Sequence, residues 1–268
     1  MGADVKTLRG RIKSVDSTLH LTGAMGLVAS SKMRRALKNM NSMREYFSAV
    51  ENAVKILTQS PECRKSPYME KRDGERIRLI VIAGDRGLAG GYNANVFRLA
   101  SAFTDAEIIP VGKRACDRYG KEVISSEKFS PETAFEMADS LCKDFALGKY
   151  DKLCIIGTEY ISMLSREAKI KQILPLEKAE GEVSGGVVFE PDENTVLSMI
   201  IRQYVSSFIL REVRESYASE NAARKNAMDS AGKNAQEMLD SLTIQYNRAR
   251  QGLITQEITE IVAGAGET

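Results

Sequence analysis

The sequence predicts a small α/β domain inserted into a long antiparallel two-helix coiled coil, which the two ends of the chain form together. Residues 8–57 place an apolar or small side chain at alternating steps of four and three, the spacing of a coiled-coil seam. Residues 194–263 contain no proline and keep similar spacing. Between these two segments, short apolar runs alternate with helical segments, as in a mostly parallel sheet with helices on its faces.

Composition and charge exclude several classes of protein. The 268 residues include 38 Lys and Arg against 36 Asp and Glu, so the chain lacks the positive excess of a nucleic-acid-binding protein. No apolar run approaches the roughly 18 residues that a membrane-spanning helix needs, and the first residues lack the apolar core of a secretory signal. The four cysteines form no C-x-x-C pair and have no histidine nearby, which argues against a zinc site or a disulfide framework.

Residues 1–60 are predicted to form the first helix of the coiled coil, which we call the shaft. No proline precedes Pro61, so nothing in the sequence interrupts this helix. Small residues occupy the seam between Thr22 and Ala29, where a partner helix can approach closely. The predicted seam consists of Leu8, Ile12, Val15, Leu19, Thr22, Gly26, Ala29, Met33, Ala36, Met40, Met43, Phe47, Val50, Val54 and Leu57.

The first shaft helix is also basic. Up to residue 57 it holds ten Lys and Arg against four Asp and Glu, with a cluster at Lys32, Arg34, Arg35 and Lys38. Two interpretations remain open for this charge. It is either a solvated face of the coiled coil or an attraction to an acidic partner surface.

Residues 61–75, which contain Pro61, Pro67 and Gly74, read as a connector, and residues 76–190 as a Rossmann-like α/β domain. One helix has clear end signals, namely Ser130-Pro131 at its start and Gly148 as a left-handed stop. The other predicted helices cover residues 93–103 and 113–119. The predicted strands cover residues 77–83, 107–111, 123–126, 152–156, 169–174 (antiparallel, at an edge) and 186–189.

Residues 191–268 are predicted to form the second shaft helix. A helix of 70 residues would be about 105 Å long, more than a domain of this size can bury, so it needs a partner, and the first shaft helix is the obvious one. Its predicted seam, with polar Gln245 as the one interruption, consists of Met228, Ala231, Ala235, Met238, Leu242, Ala249 and Leu253.

A glycine-rich segment at residues 84–91 follows a strand and precedes a helix, which is where phosphate-binding loops occur. Its spacing, G-x-x-G-x-x-G-G, matches neither common phosphate-binding motif, and a tight turn explains the glycines without a ligand. His20, the only histidine, has no triad partner at an obvious spacing. We therefore assign no catalytic, cofactor-binding or metal-binding residue, and we expect no cofactor and no enzymatic activity of the chain itself.

Several segments together resemble the gamma subunit of the F-type ATP synthase. The middle segment, D-R-G-L-A-G-G-Y-N at residues 85–93, is similar to the family's D-R-G-L-x-G-G-x-N turn. The tail is the most specific match, with Y-N-R-A-R-Q at residues 246–251 and I-T-Q-E-I-T-E-I-V at residues 254–262. The remaining matching segments are residues 11–15, 22–25, 28–35, 190–192 and 218–224.

The resemblance implies a non-catalytic rotor. In the family, the gamma shaft stands inside a ring of three alpha and three beta subunits, and its foot sits with epsilon on the c ring in the membrane. Ion-driven rotation of the c ring is thereby coupled to ATP synthesis or hydrolysis. We therefore expect these subunits as partners and a peripheral location on the cytoplasmic face of a bacterial cell membrane.

The resemblance also assigns contact residues, taken over position by position. Met25 and the tail residues Arg250 and Gln251, with Thr255 and Glu257 nearby, match positions that face the beta subunit. The segment that approaches the c ring corresponds to Phe189, Glu190, Asp192 and Glu193.

The sequence departs from the family near Met25. Gly23 stands where a lysine is usual, and together with Gly26 it is expected to loosen the helix by about 1 kcal/mol per glycine.

Two other functions remain as alternatives to the rotor. The chain could be a stand-alone helical-hairpin scaffold, which would be soluble and monodisperse without ATPase subunits. It could also be a small nucleotide-binding enzyme built on residues 76–190, which would bind ATP or NAD at the glycine-rich segment.

Overall fold

The computed structural model describes residues 2–72, 74–179 and 189–265. The chain divides into two compact units, one formed by Met1–Ala29 with Arg224–Thr268 and the other by Ser30–Ala223. We call them the helical unit and the α/β unit. The elements are α1 (Gly2–Ser42), α2 (Arg44–Gln59), a 3₁₀ turn (Glu62–Lys65), β1 (Ile77–Ile82), α3 (Tyr92–Ala100), β2 (Glu107–Val111), α4 (Lys113–Tyr119), α5 (Pro131–Ala146), β3 (Lys152–Tyr160), β4 (Arg166–Leu174) and α6 (Glu193–Ala265).

In the helical unit, the start of α1 packs antiparallel against the end of α6, as predicted. Gly26 lies opposite Met228, and a methyl group added to Gly26 would be 3.7 Å from the Met228 Cβ. Gly232 lies opposite Thr22, with a corresponding distance of 3.5 Å to the Thr22 Oγ1. Thr22, Gly26 and Ala29 are buried, so the small residues mark a close approach of the two helices.

Beyond Ala235, the seam of α6 uses a different residue from the one predicted. Met238 is 52% exposed and therefore does not belong to the seam. The seam position is taken by Leu239, which is half-buried, and the polar Gln245 is exposed beside the half-buried Tyr246. The true seam has no polar interruption, because it runs in unbroken steps of four and three through Ala235, Leu239, Leu242, Tyr246, Ala249 and Leu253.

The predicted unbroken first helix is interrupted at Met43. The backbone there has φ −99° and ψ −2°, and the Met43 N–H donates to the carbonyl of Met40 at 3.3 Å, a tight i to i−3 turn. Beyond the break, Phe47 and Leu57 of α2 join the hydrophobic core of the α/β unit. The helix predicted over residues 1–60 is therefore divided at this residue into α1 and α2.

The α/β unit contains a four-stranded sheet in the order β2-β1-β3-β4. Strands β2 and β3 are parallel to β1, and β4 is antiparallel to β3 at the edge, as predicted. Strand β3 extends to Tyr160, further than predicted, because its end pairs with β4. Residues 123–126, predicted as a strand, are irregular. Of the strand predicted at residues 186–189, only Phe189 lies within the described residues.

Helices cover both faces of this sheet. Alternate residues of β1 and β3 belong to two separate clusters, as expected for strands with helices on both sides. One cluster includes α5 and the buried α6 residues Leu197, Ile201, Val205, Ile209 and Val213. The other includes α3.

Helix α5 has the predicted ends. The Ser130 hydroxyl accepts a hydrogen bond from the Thr133 N–H at 3.2 Å, and Pro131 occupies the first turn. Gly148, just after the helix, has a left-handed backbone with φ +70°. Among the residues that the structure describes, every helix is too short or too polar to span a lipid bilayer.

Candidate interaction surfaces

The end of α6 presents an exposed surface, which we call the tail surface, and it contains the predicted beta-contact residues. Arg250, Gln251, Thr255 and Glu257 are all exposed. The Thr255 hydroxyl donates to the Gln251 carbonyl at 2.9 Å, so it is already used within the helix. Large apolar side chains lie beside them, and the most exposed are Ile254, Ile258, Ile261 and Val262, between 46% and 71%. Such a stripe is typical of a surface that a partner covers.

Met25, the other predicted beta contact, lies on α1 and is half-buried. Its neighbours Leu21, Leu27 and Val28 are 60%, 74% and 53% exposed. The apolar surface of α1 around Met25 is therefore larger than the sequence analysis indicated. Two consecutive apolar residues, Leu27 and Val28, lie outside the seam, and this was the signal available in the sequence.

The four cations of the basic cluster on α1 differ in exposure and pairing within the α/β unit. Arg34, Arg35 and Lys38 are exposed. Lys32 is half-buried, and its ammonium group donates to the Glu127 carboxylate at 2.5 Å. Three of the four cations therefore remain for an acidic partner.

The residues predicted to face the c ring lie around the start of α6. Phe189 is half-buried against the hydrophobic core, and Glu190 is exposed. The Asp192 carboxylate accepts hydrogen bonds from the N–H of Thr195 at 2.8 Å and from its hydroxyl at 2.7 Å. These two bonds lower the pKa of Asp192 and cap the helix.

The structure adds a residue to this acidic group. Glu62, in the 3₁₀ turn, hydrogen-bonds Glu193, and this bond together with the charge of Glu193 raises the pKa of Glu62. Glu62 was not predicted because it lies far from Glu193 along the chain. The group thus places three carboxylates, those of Glu62, Asp192 and Glu193, at one end of α6.

The glycine-rich segment carries Asp85, whose carboxylate binds donors that lie outside the segment. It accepts hydrogen bonds from the N–H groups of Lys113, at the start of α4, and of Ser126 and Glu127, at 2.9–3.0 Å, and from the Ser125 hydroxyl at 2.6 Å. Burial alone raises the pKa of Asp85, but these bonds outweigh burial and lower it. The chain therefore supplies its own anion to these donors.

Helix α6 packs against the same glycine-rich segment. A methyl group added to Gly84 would lie 2.6 Å from the Glu220 Cδ, so glycine is required for this approach. The Tyr92 hydroxyl donates to the Ser216 carbonyl at 3.0 Å, and the Gly84 N–H donates to the Asn93 Oδ1 at 2.9 Å. These contacts make the segment a packed turn and argue against nucleotide binding there.

Comparisons with known proteins agree with the resemblance. Residues 4–266 match the family model described as ATP synthase. The chain is 36% identical to the ATP synthase gamma chain of Ruminococcus albus, with 97% of this chain and 96% of that one covered. It is also 36% identical to the sodium ion specific ATP synthase gamma chain of Acetobacterium woodii, with 99% of each covered.

The fold is that of solved central stalks. A chain from the Euglena gracilis mitochondrial ATP synthase (OSCP, F1 and c ring) matches with a TM-score of 0.69 at 17% identity, over 98% of this chain and 94% of that one. A chain from the Tetrahymena thermophila mitochondrial ATP synthase central stalk and c ring matches with a TM-score of 0.64 at 22% identity, over 79% of this chain and 99% of that one. The chain therefore belongs to the ATP synthase gamma-chain family and is a non-catalytic central-stalk subunit of the F1 sector of that membrane-associated enzyme.

Proposed function

We propose that the chain turns inside a ring of three alpha and three beta subunits and couples ion-driven rotation of a c ring to ATP synthesis or hydrolysis. In this proposal epsilon binds beside the foot of the shaft, and the complex works at the cytoplasmic face of a bacterial membrane. Bacterial relatives named as gamma chains and solved structures that contain the F1 sector and a c ring support the proposal.

The observation that carries the proposal is the tail surface. Its isoleucines and Val262 are exposed, although burying side chains of this size is favourable by about 1.5–3 kcal/mol each. Apolar contacts have no preferred direction, so a sleeve of partner subunits can cover this helix and still let it turn. A scaffold that works alone would have no need to expose this surface.

In this proposal Met25, Arg250, Gln251, Thr255 and Glu257 contact the beta subunits. Arg250 supplies a fixed cation with several donors for a beta loop, and Gln251 supplies an amide. The exposed cations of α1 (Arg34, Arg35 and Lys38) are suited to an acidic segment of beta. Because a single shaft touches three beta subunits differently, its rotation can change their nucleotide affinities in turn.

Phe189, Glu190, Asp192 and Glu193 form the c-ring-facing group in this proposal. Glu190 is the most accessible of them, and Phe189 contributes mainly to the packing beneath it. The Asp192 carboxylate caps the start of α6, and Glu193 lies next to it in the first turn. A cationic loop of the partner would complement their charge.

Co-purification with alpha and beta subunits separates the rotor from the stand-alone scaffold. We expect the chain to form a stable complex with them. In the reconstituted enzyme, deletion from Arg250 onward, and the milder pair Arg250→Ala with Gln251→Ala, should impair assembly or coupled ATP synthesis. The matched control is Lys233→Ala with Asn234→Ala, an exposed cation and amide elsewhere on α6. Unchanged coupled synthesis in the deletion variant would contradict the proposal.

A further inference from the structure

The irregular loop at residues 125–127 is held in place by Asp85. Three of the four hydrogen bonds that Asp85 accepts come from this loop. A loop fixed by a half-buried carboxylate presents its side chains in a defined direction. The side chain at the end of the loop is that of Glu127.

Glu127 contacts three other segments of the α/β unit. Its carboxylate accepts a hydrogen bond from Lys32 of α1 at 2.5 Å and lies 3.9 Å from the Arg86 guanidinium. The Lys32 ammonium group lowers the pKa of Glu127 most, and the Tyr217 hydroxyl, on α6, is near enough to lower it as well. We call Lys32, Asp85, Arg86, Glu127 and Tyr217 the Glu127 clamp.

The position of the clamp along α1 matters because of the break at Met43. The apolar residues of α2 anchor the chain in the core on one side of the break. On the other side, α1 is no longer connected to α2 by a continuous ladder of helical hydrogen bonds. Lys32 belongs to that other side, where Met33 and Ala36 of α1 are also buried, so the clamp adds a polar attachment beside this apolar packing.

We propose that the Glu127 clamp transmits torque from the α/β domain to α1. The proposal rests on the rotor function proposed above. The glycine-rich segment then has a mechanical role, since its Asp85 positions the loop that holds α1. The clamp residues act as positioning residues, and none of them is placed on the tail surface.

The test uses the complete reconstituted enzyme in vesicles and measures ions transported per ATP hydrolysed. Glu127→Gln keeps the size of the side chain and removes its charge. Glu122→Gln, an exposed acid in the same irregular segment, is the matched control. We expect Glu127→Gln to lower the ratio below that of Glu122→Gln, because the charge that binds Lys32 is removed, and to leave ATP hydrolysis unchanged. Lys32→Gln should act in the same way, and it serves if Glu127→Gln does not fold.

Two further variants distinguish torque transmission from simple stability. Lys32→Arg keeps the cation that Glu127 binds and should keep the wild-type ratio. Lys32→Cys with Glu127→Cys should lose it and regain it when a short bismaleimide joins the two thiols. The four native cysteines are buried, so the reagent reacts at the introduced pair.

The outcomes separate this proposal from the rotor function. If Glu127→Gln and Glu122→Gln give the same ratio, or if the cross-link stops rotation, the clamp does not transmit torque, and the rotor function is unaffected. If even the wild-type chain fails to assemble with alpha and beta, the rotor function fails first.

Discussion

Asp85 shows how one side chain can determine the character of a motif. A glycine-rich turn between a strand and a helix offers N–H groups to an anion, and in many proteins that anion is a ligand phosphate. Here the glycine-rich segment supplies the anion instead, because the Asp85 carboxylate accepts hydrogen bonds from N–H groups at the start of α4 and in the loop at residues 125–127. The segment is thus a packed joint that presents an acceptor where a phosphate-binding loop would present donors.

Replacing Asp85 should destabilise the α/β unit. Asp85→Asn retains one oxygen but turns an NH2 group towards donors, so we expect a loss of about 2–4 kcal/mol in the free energy of unfolding. Asp117→Asn, an exposed acid on α4, should change it by less than about 0.5 kcal/mol. Urea denaturation at pH 7 measures both variants. Equal midpoints for the two would contradict the assigned role.

The stability that Asp85 supplies should also depend on pH. Its pKa is lowered in the folded chain, so its contribution is complete above the unfolded pKa of about 3.9 and is lost as the pH falls through the folded value. The difference between wild type and Asp85→Asn should therefore shrink below about pH 4. A difference that stays constant down to pH 2.5 or so would show that the charge of Asp85 is not the cause.

The cysteines should be inert in the folded chain. All four are buried, and burial above all raises the pKa of Cys63 to about 11 and that of Cys142 to about 12. Because the thiolate is the reactive form, Ellman's reagent at pH 8 should react with the native chain at least about 100-fold more slowly than with the chain in urea. One thiol reacting at the unfolded rate in the native chain would be incompatible with this burial.

At the scale of elements, two glycines that face α6, Gly26 and Gly84, differ in whether a methyl group can be added to them. Gly26 has room for a methyl group at ordinary contact distance from Met228 and Asp229, whereas the same group on Gly84 would overlap Glu220. Gly26 is expected to destabilise its helix because glycine is a poor helix former. Alanine at this position should remove that cost, since the structure has room for its methyl group. Gly84, in contrast, is required by the approach of α6.

We expect Gly26→Ala to raise the free energy of unfolding by about 0.5–1 kcal/mol, the usual helix preference of alanine. Gly23→Ala, which meets nothing within 4 Å, is the control for preference without packing. Gly84→Ala should lower it by about 1–3 kcal/mol through overpacking. Urea denaturation of the three variants decides the matter, and a stabilised Gly84→Ala would refute the close approach.

The elements differ in how far their sequence determines them. Helix α5 was predicted with both ends because Ser130, Pro131 and Gly148 are local signals. The break at Met43 was not predicted, since Met43 keeps the seam spacing and has neither glycine nor proline beside it. On α6, Met238 and Leu239 are both apolar, so either could be the seam residue. Only the half-buried Tyr246, seven positions after Leu239, shows that the seam passes through Leu239.

The candidate sites also differ in how far the local sequence determines them. The exposure of the tail surface agrees with a local pattern of isoleucines that continues past the seam. The pair Lys32 and Glu127 joins residues 95 positions apart, and the pair Glu62 and Glu193 is also distant along the chain. Lysine and glutamate are too common for such a pair to be recognised without coordinates.

For the molecule as a whole, assembly should change the tail surface most. Residues 250–263 are nearly all exposed in the isolated chain, and a helix without packing opens readily to solvent. On addition of alpha and beta subunits, amide hydrogen exchange should slow by at least about tenfold in this segment. The exposed turn between β3 and β4, residues 161–165, is the internal reference. Unaltered exchange at the tail would mean that no partner surrounds it.

The narrow gap between α1 and α6 at Gly26 has a consequence for how this protein evolves. The gap has room for a methyl group but little more, so a residue larger than alanine at position 26 demands a smaller one in place of Met228. Gly26→Val should accordingly be harmful alone and tolerated beside Met228→Ala. Substitutions at positions 26 and 228, which are far apart in the gene, should therefore become fixed in pairs. Each of them compensates for the destabilisation that the other causes.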